Sequence, residues 1–156
     1  MEQLPEKMIS NEIAEVQLIY KTKIKASDRP VVKTSADAAI LLRKNWDENM
    51  IEFVEQFKVL LLNRSNHVLG IFELSKGGVT GTVADPKIIF VAALKANASN
   101  IIISHNHPSG SLRPSNADEQ ITQKIKNAGS FLDIKLLDHV IITTEGHYSF
   151  ADEGLL

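Results

Sequence analysis

The sequence contains no cysteine. Disulfide bonds, thiolate metal ligands and cysteine nucleophiles are therefore excluded. No apolar run approaches the ~20 residues of a membrane span, and residues 1–10 lack the basic-then-apolar pattern of a signal peptide. These absences predict a cytoplasmic protein without a membrane segment.

Neither sign of charge dominates, since 17 Lys and Arg against 19 Asp and Glu give a net charge of -2. The chain therefore lacks the broad positive field that drives non-specific DNA binding. DNA binding through a local basic patch remains an alternative. Proline and glycine are also sparse, at 5 and 8 residues, whereas 44% of the residues are hydrophobic. With 156 residues, the chain has the composition and length of one globular domain with its own core.

Short apolar runs bounded by turn residues predict most of the strands. These strands are 57–63, 68–75, 79–83, 100–104, 134–143 and 147–150. Alternation of Val16, Leu18 and Tyr20 predicts a further strand, within an N-terminal β-containing extension that spans residues 1–34. The strands on either side of the 64–67 turn must be antiparallel. The fold class expected is α/β (α+β), with a mixed, hairpin-rich sheet flanked by helices.

Three helices are predicted from capping signals and helical spacing. The first runs from 36 to 46 after Ser35, and the second, capped by Asp85, is apolar nearly all round and is expected to be mostly buried. The third begins near Ser115, with Gly129 as its stop. No phosphate-binding glycine loop of the GxGxxG or GxxxxGK[ST] type is present.

The one dense polar stretch, SHNHPSGSLRPSNAD, spans residues 104–118. His105 and His107 follow a buried strand at i and i+2, so both imidazoles project to the same side. Asp118 lies in the first turn of the next helix and can reach the same point. Two imidazoles and one carboxylate suit Zn²⁺ and leave a fourth position for water, as in catalytic zinc sites. Alternatively, Ser115 and Asp118 form only a capping box, a role that is compatible with metal binding.

The pattern H-x-H-P-S-G followed by P-S-x-x-D resembles the motif of the JAMM (MPN+/JAB) metalloproteases, and most closely their RadC-like branch. The resemblance covers residues 35–156, and FKVLLLNRSNHVLG, LLDHVII and YSFADEGLL support it. It implies a JAB/MPN, cytidine-deaminase-like architecture. It also implies one zinc ion per chain, held by His105, His107 and Asp118, with Ser115 as the motif serine.

The resemblance further implies an upstream glutamate that exchanges protons with the zinc-bound water and the leaving amine. Its position relative to the aromatic residue that opens the first core strand, Phe57, selects Glu55. Glu52 and Glu73 are alternatives for this role.

Two further polar residues have open roles. His139 alternates with apolar neighbours, which favours a buried, hydrogen-bonded histidine over a fourth ligand; it is also a candidate for orienting a ligand. Arg113, inside the loop, is either a contact for a substrate carboxylate or phosphate or an ordinary exposed arginine.

The main hypothesis is a zinc-dependent hydrolase that cleaves a peptide or isopeptide bond, with Glu55 as general base and acid and Ser115 donating to the oxyanion. The alternative is a catalytically idle, DNA-repair-associated or protein-interaction module. A third reading, a metal-dependent nuclease, fits less well because such sites use several carboxylates. The resemblance also implies a helix-hairpin-helix module, which RadC-like proteins usually carry; residues 1–34 are too few to hold one beside the predicted strand, so we expect the family's DNA-repair association to be weaker for this chain. Exposed strand edges make a homodimer plausible.

Overall fold

The computed structural model describes residues 14, 17, 19–77 and 83–156. After a short 3-10 turn at Ala26–Asp28, the described elements follow the order α-β-β-α-β-α-β-β. The helices are α1 Ser35–Lys44, α2 Pro86–Lys95 and α3 Asn116–Phe131. The strands are β1 Gln56–Leu62, β2 Val68–Lys76, β3 Asn100–Asn106, β4 Lys135–Ile142 and β5 His147–Ser149. Among these described helices, none has both the length and the apolar character needed to cross a membrane.

The five strands form one mixed sheet in the order β2-β1-β3-β4-β5. β1 pairs antiparallel with β2 and β3, whereas β3 and β4 run parallel and β5 returns antiparallel to β4. A parallel pair needs a crossover connection, and α3 supplies it. The carboxyl ends of β3 and β4 therefore lie side by side at one edge of the sheet. The predicted α/β fold, with a mixed, hairpin-rich sheet flanked by helices, is confirmed.

Helices cover both faces of this sheet, because successive side chains of a strand point to opposite sides. The odd-numbered apolar residues of β1 and β3, such as Ile101 and Ile103, pack with α2 and α3 in one core. The even-numbered ones, such as Leu60 and Ile102, pack with α1 in the other. His105 continues the odd series of β3, so its imidazole lies on the side of the sheet that α3 covers.

Three helix ends differ from the prediction. α1 ends at Lys44, two residues before the predicted end at residue 46. Thr34, rather than Ser35, caps α1, because its side chain accepts a hydrogen bond from the backbone N–H of Asp37 and the Asp37 carboxylate accepts one in return. α3 does not stop at Gly129 but continues to Phe131. Gly129 is buried where α3 meets the start of β4, and a Cβ there would lie 2.3 Å from the carbonyl oxygen of Ile134. This glycine therefore serves close packing, not helix termination.

The expectation that α2 is mostly buried is wrong. Its inner face packs into the core through Ile89, Phe90 and Ala93. Its outer face is exposed because α2 lies in an outer layer with the sheet on one side only, and it carries Ile88, Val91 and Leu94.

Two predicted strands fall partly outside the described residues. Val16 and Leu18 of the N-terminal strand lie outside them, and residues 19–25 form no strand. Residues 79–82 of the other strand also lie outside them, and Val83 is exposed without strand structure.

Replacement of Gly129 by alanine is expected to lower the free energy of unfolding by about 1–3 kcal/mol, because the new methyl group meets backbone that cannot move away as a flexible side chain does. Gly70→Ala is the matched control, since a Cβ at Gly70 meets no atom within 4 Å. Urea denaturation of both variants checks the prediction. Equal stabilities of the two variants would contradict the packing role of Gly129.

Candidate metal centre

The two histidines of the H-x-H sequence lie at and just beyond the carboxyl end of β3. His105 is the penultimate residue of the strand and is 1% exposed. His107 follows the strand and is half-buried, and its backbone N–H donates to the carbonyl of Ile142 at the end of β4. The two Nε2 atoms lie 3.0 Å apart. The predicted convergence of the two imidazoles is confirmed.

Asp118 approaches the histidines from the first turn of α3. Its Oδ1 lies 3.2 Å from Nε2 of His105, and its Oδ2 lies 3.7 Å from Nε2 of His107. Oδ2 also accepts the backbone N–H of Ser115 at 2.7 Å, while the Ser115 hydroxyl accepts the N–H of Asp118, which completes a capping box. The cap and the cluster therefore share one carboxylate, as the sequence allowed.

Ligand atoms of His105, His107 and Asp118 lie within 4.8 Å of one another and form a group that can hold a metal ion. The side chains of His107 and Asp118 are 16% and 14% exposed, so the cluster opens to solvent on that side. Nitrogen and oxygen ligands of this kind suit zinc, and three protein ligands leave a position free.

Electrostatics in the cluster favour a cation between its members. The hydrogen bond to Asp118 raises the pKa of His107, against the opposing effect of burial. Burial by itself would raise the pKa of Asp118, but hydrogen bonds with His105 and His107 hold that pKa well below its usual range. The carboxylate is therefore ionised, and positive charge next to it, from a proton or a metal ion, is stabilised.

His107 is oriented by its other ring nitrogen. Nδ1 lies 2.6 Å from the carbonyl oxygen of Ser111. A carbonyl only accepts, so Nδ1 carries a proton and donates it. In neutral His107 this leaves Nε2, which faces the cluster, with a free lone pair, the tautomer a metal ligand requires.

His139 is fully buried directly behind His105. Its Nε2 lies 2.8 Å from Nδ1 of His105, and its Nδ1 lies 2.6 Å from the hydroxyl of Thr122 on α3. Burial lowers the pKa of His139, with a further contribution from His105. His139 is thus a hydrogen-bonded core histidine and not a member of the ligand group, as the sequence favoured.

Asn106, between the two histidines, has a role that the sequence analysis missed. Its side chain is fully buried on the opposite face of β3, where Oδ1 accepts the backbone N–H of Gln56 at 2.7 Å. Its Nδ2 donates to the carbonyls of Ile51 and Val54 at 2.7 and 2.9 Å. Asn106 therefore ties the segment before β1, which contains Glu55, to the histidine-bearing strand. The sequence signal for this role was the position of a polar side chain, Asn106, between two histidines at the end of an apolar strand.

The three candidate glutamates have different surroundings. Glu55 is half-buried immediately before β1, and its charge contributes to the raised pKa of His107. Glu52 accepts a hydrogen bond from the Thr144 hydroxyl. Glu73 pairs with Lys58 at 3.4 Å and accepts from the side chain of Gln56 at 3.1 Å.

Arg113 is exposed, and its backbone N–H is bonded to the Ser111 side chain. Both interpretations of its side chain, a contact for a substrate carboxylate or phosphate and an ordinary exposed arginine, stay predictions.

Comparison with known proteins decides the family. Residues 32–155 match the family described as RadC-like JAB domain. The chain belongs to this family. The mixed sheet with three flanking helices is consistent with the JAB domain fold.

Relatives of this RadC-like JAB domain occur in several bacteria. The UPF0758 protein of Flavobacterium johnsoniae is 54% identical over 101 residues, which are 65% of this chain and 44% of the relative. That of Porphyromonas gingivalis is 50% identical over 103 residues, 65% of this chain and 45% of the relative. That of Rubrobacter xylanophilus is 37% identical over 131 residues, 82% of this chain and 55% of the relative. The chain thus spans about half the length of these curated relatives, whose names specify no activity.

Zinc binding at this cluster is the first testable consequence. Tag-free protein is expected to hold about one zinc ion per chain, measured by plasma mass spectrometry. The double variant His105→Ala/His107→Ala is expected to lose the zinc, because the Asp118 carboxylate alone is too weak a ligand set to retain it. The matched control is His67→Ala/His147→Ala, which removes two histidines outside the cluster. Equal zinc contents in the two double variants would contradict the assignment of ligands.

Loss of the Asn106 side chain is expected to loosen the segment before β1. Asn106→Ala leaves one backbone N–H and two carbonyls without their partner, so the free energy of unfolding should fall by on the order of 3 kcal/mol. Hydrogen exchange at the Gln56 amide should accelerate as well. Ser104→Ala, which removes one buried hydrogen bond to Val140, is the control and should leave exchange at Gln56 unchanged.

Proposed function

We propose that this domain is a zinc-dependent hydrolase of the JAMM type that cleaves an amide bond, in a peptide or an isopeptide. The observation that carries the proposal is the solvent-open convergence of His105, His107 and Asp118 at the carboxyl ends of β3 and β4. Membership of the RadC-like JAB family supports the same chemistry.

These three residues would hold the metal. A bound zinc ion supplies Lewis acidity, which polarises a carbonyl and lowers the pKa of water to about 7. The chain's own groups must then handle protons and orient the substrate.

Glu55 is proposed as the general base and acid. Its charge helps to raise the pKa of His107, so the carboxylate lies close enough to interact electrostatically with the ligand cluster. Within the described residues its carboxylate makes no hydrogen bond or ion pair, so it stays available for a proton. Glu52 and Glu73 fit the role less well, because their carboxylates already have partners. The Thr144 hydroxyl donates to Glu52, and the side chains of Lys58 and Gln56 both contact Glu73.

Ser115 is proposed as the donor to the negatively charged oxygen that develops on the substrate carbonyl. Its Oγ accepts the N–H of Asp118, which leaves the hydroxyl proton free of any acceptor within the described part of the chain. The side chain is exposed beside the ligand cluster, where a substrate can approach. One such donor is worth about 2.7–4 kcal/mol in comparable sites.

Glu55→Gln is the test of the proposed base. The zinc-loaded variant is expected to keep its metal and to lose turnover by about 10²–10⁴-fold, because the amide cannot exchange the proton. Turnover is measured on a panel of fluorogenic peptides and isopeptides, after wild type has identified a cleaved member. Glu52→Gln and Glu73→Gln are the controls and should stay close to wild type.

Two results would count against this proposal in different ways. Full activity in Glu55→Gln would remove Glu55 from the role and leave the hydrolase intact. No cleavage of any amide by zinc-loaded wild type would favour the idle interaction module instead.

A further inference from the structure

We propose that the cavity between α1 and the β4–β5 turn is a binding site for a carboxylate group, with Arg43 as its anchor. The cavity has a volume of about 390 Å³, which lies in the size range of small-molecule sites in proteins. It contains no member of the ligand cluster and takes no part in the proposed reaction. The inference therefore goes beyond the proposed function and does not depend on a bound metal.

One face of α1 forms the first wall of this cavity. Ala36, Ala39, Ile40 and Arg43 line it. Their positions at i, i+3, i+4 and i+7 place these four side chains on the same side of a helix. The two alanines are short and leave space beside the helix, whereas Arg43 brings a charged guanidinium to the end of the same face. The helix therefore presents a cation next to an open space.

The β4–β5 turn forms the opposite wall, through residues 142–147. Hydrogen bonds fix this wall in place. The backbone N–H of Thr143 donates to the carbonyl of Gly146 at 2.9 Å, and the hydroxyl of Thr144 donates to the Glu52 carboxylate at 2.9 Å. Because both walls are held by the fold, the space between them is preformed, and a ligand need not order either wall on binding.

Arg43 lacks an acceptor for one of its donors. Its side chain is half-buried, and Nη1 is buried but makes no hydrogen bond within the described residues. The guanidinium also forms no ion pair with a carboxylate of that part of the chain, although Glu145 lines the same cavity. A buried donor without an acceptor is costly, and an arginine keeps its charge in proteins. An anion bound in the cavity would supply the missing acceptor.

The charges around the cavity favour an anion with a single charge. Arg43 and Lys44 face Glu145, which leaves one positive charge in excess when His147 is neutral. Both cations lie in the last turn of α1, where the free carbonyls of a helix carry partial negative charge and would oppose a phosphate dianion more strongly than a carboxylate. A carboxylate also matches the guanidinium, since it can accept two parallel hydrogen bonds from it.

Two groups of a peptide carry such a carboxylate, the C-terminus and an acidic side chain. The apolar side chains of Ala39, Ile40 and Ile142 line the cavity beside Arg43 and would contact the carbon atoms that bear the carboxylate. The carbonyl of Ile142 accepts the backbone N–H of His107 at 3.1 Å. A peptide held by Arg43 would therefore lie close to the loop that carries a proposed metal ligand.

The test titrates three dipeptide probes into the metal-free chain and follows ¹H–¹⁵N spectra. The probes are acetyl-alanyl-leucine with a free carboxylate, the same dipeptide as its uncharged amide, and acetyl-alanyl-glutamate amide. We expect a carboxylate probe to shift the signals of the Gly146 amide and the Arg43 Nε–H, and to bind at least about 10-fold more tightly than the uncharged amide. Tighter binding of the leucine acid assigns the site to a C-terminus, and tighter binding of the glutamate probe assigns it to an acidic side chain.

Three variants locate the carboxylate. Arg43→Gln is expected to weaken binding of the preferred carboxylate probe about 10–100-fold, because the charge and the paired donors are both lost. Arg43→Lys keeps the charge without the paired donors and should recover only part of the affinity. Lys44→Gln is the matched control, since it removes the same charge from the same turn of α1 and should change the affinity less than about threefold.

Several results would overturn the inference. These are equal affinities of the acid and amide probes, no shift with any probe, or wild-type affinity in Arg43→Gln. Tighter binding of inorganic phosphate than of either carboxylate probe, at the same signals, would overturn it as well. If Arg43→Gln does not fold, wild-type affinity in Arg43→Lys contradicts recognition by the guanidinium. Because no measurement requires zinc or turnover, failure of the proposed function leaves these outcomes unaffected.

Discussion

A fully buried imidazole at the end of the central strand is the constraint on which the rest of the site depends. His105 follows Ile101 and Ile103 on an apolar face, so the polar atoms of its ring need partners from neighbouring elements. One partner comes from β4, as His139, and the other from α3, as Asp118. The parallel pairing of β3 with β4, and the crossover helix that this pairing requires, deliver both partners to the same place.

Local signals in the sequence predicted much of this arrangement. The spacing of His105 and His107 after an apolar run placed both rings on one side, and the S-x-x-D pattern placed Asp118 in the first turn of α3. The Asp85-Pro86 pair likewise predicted the start of α2, where Asp85 accepts the N–H of Lys87. These features depend on residues at most a few positions apart, so no knowledge of the tertiary structure was needed.

Features set by long-range packing were harder to predict. His139 meets His105 only because a register shift between Ile101 and Ile102 places His139 opposite Ile103, on the α3 side of the sheet. Gly129 looked like a helix stop because the approach of Ile134 cannot be read from its neighbours. The outer face of α2 is as apolar as its buried face, so periodicity could not distinguish the two.

The side chains of residues 105–107 have different roles because successive side chains of a strand point to opposite faces of the sheet. The outer two residues turn their rings to the ligand cluster, while Asn106, on the opposite face, binds the backbone on both sides of Glu55. The proposed base and the ligands are therefore positioned by the same three residues, and a shift of this strand end would move both together. Asp118 likewise has two roles in α3, because its carboxylate both caps the helix and faces the histidines. Stability of the fold and geometry of the site are thus coupled through shared atoms, which explains how a solvent-open cluster can remain ordered.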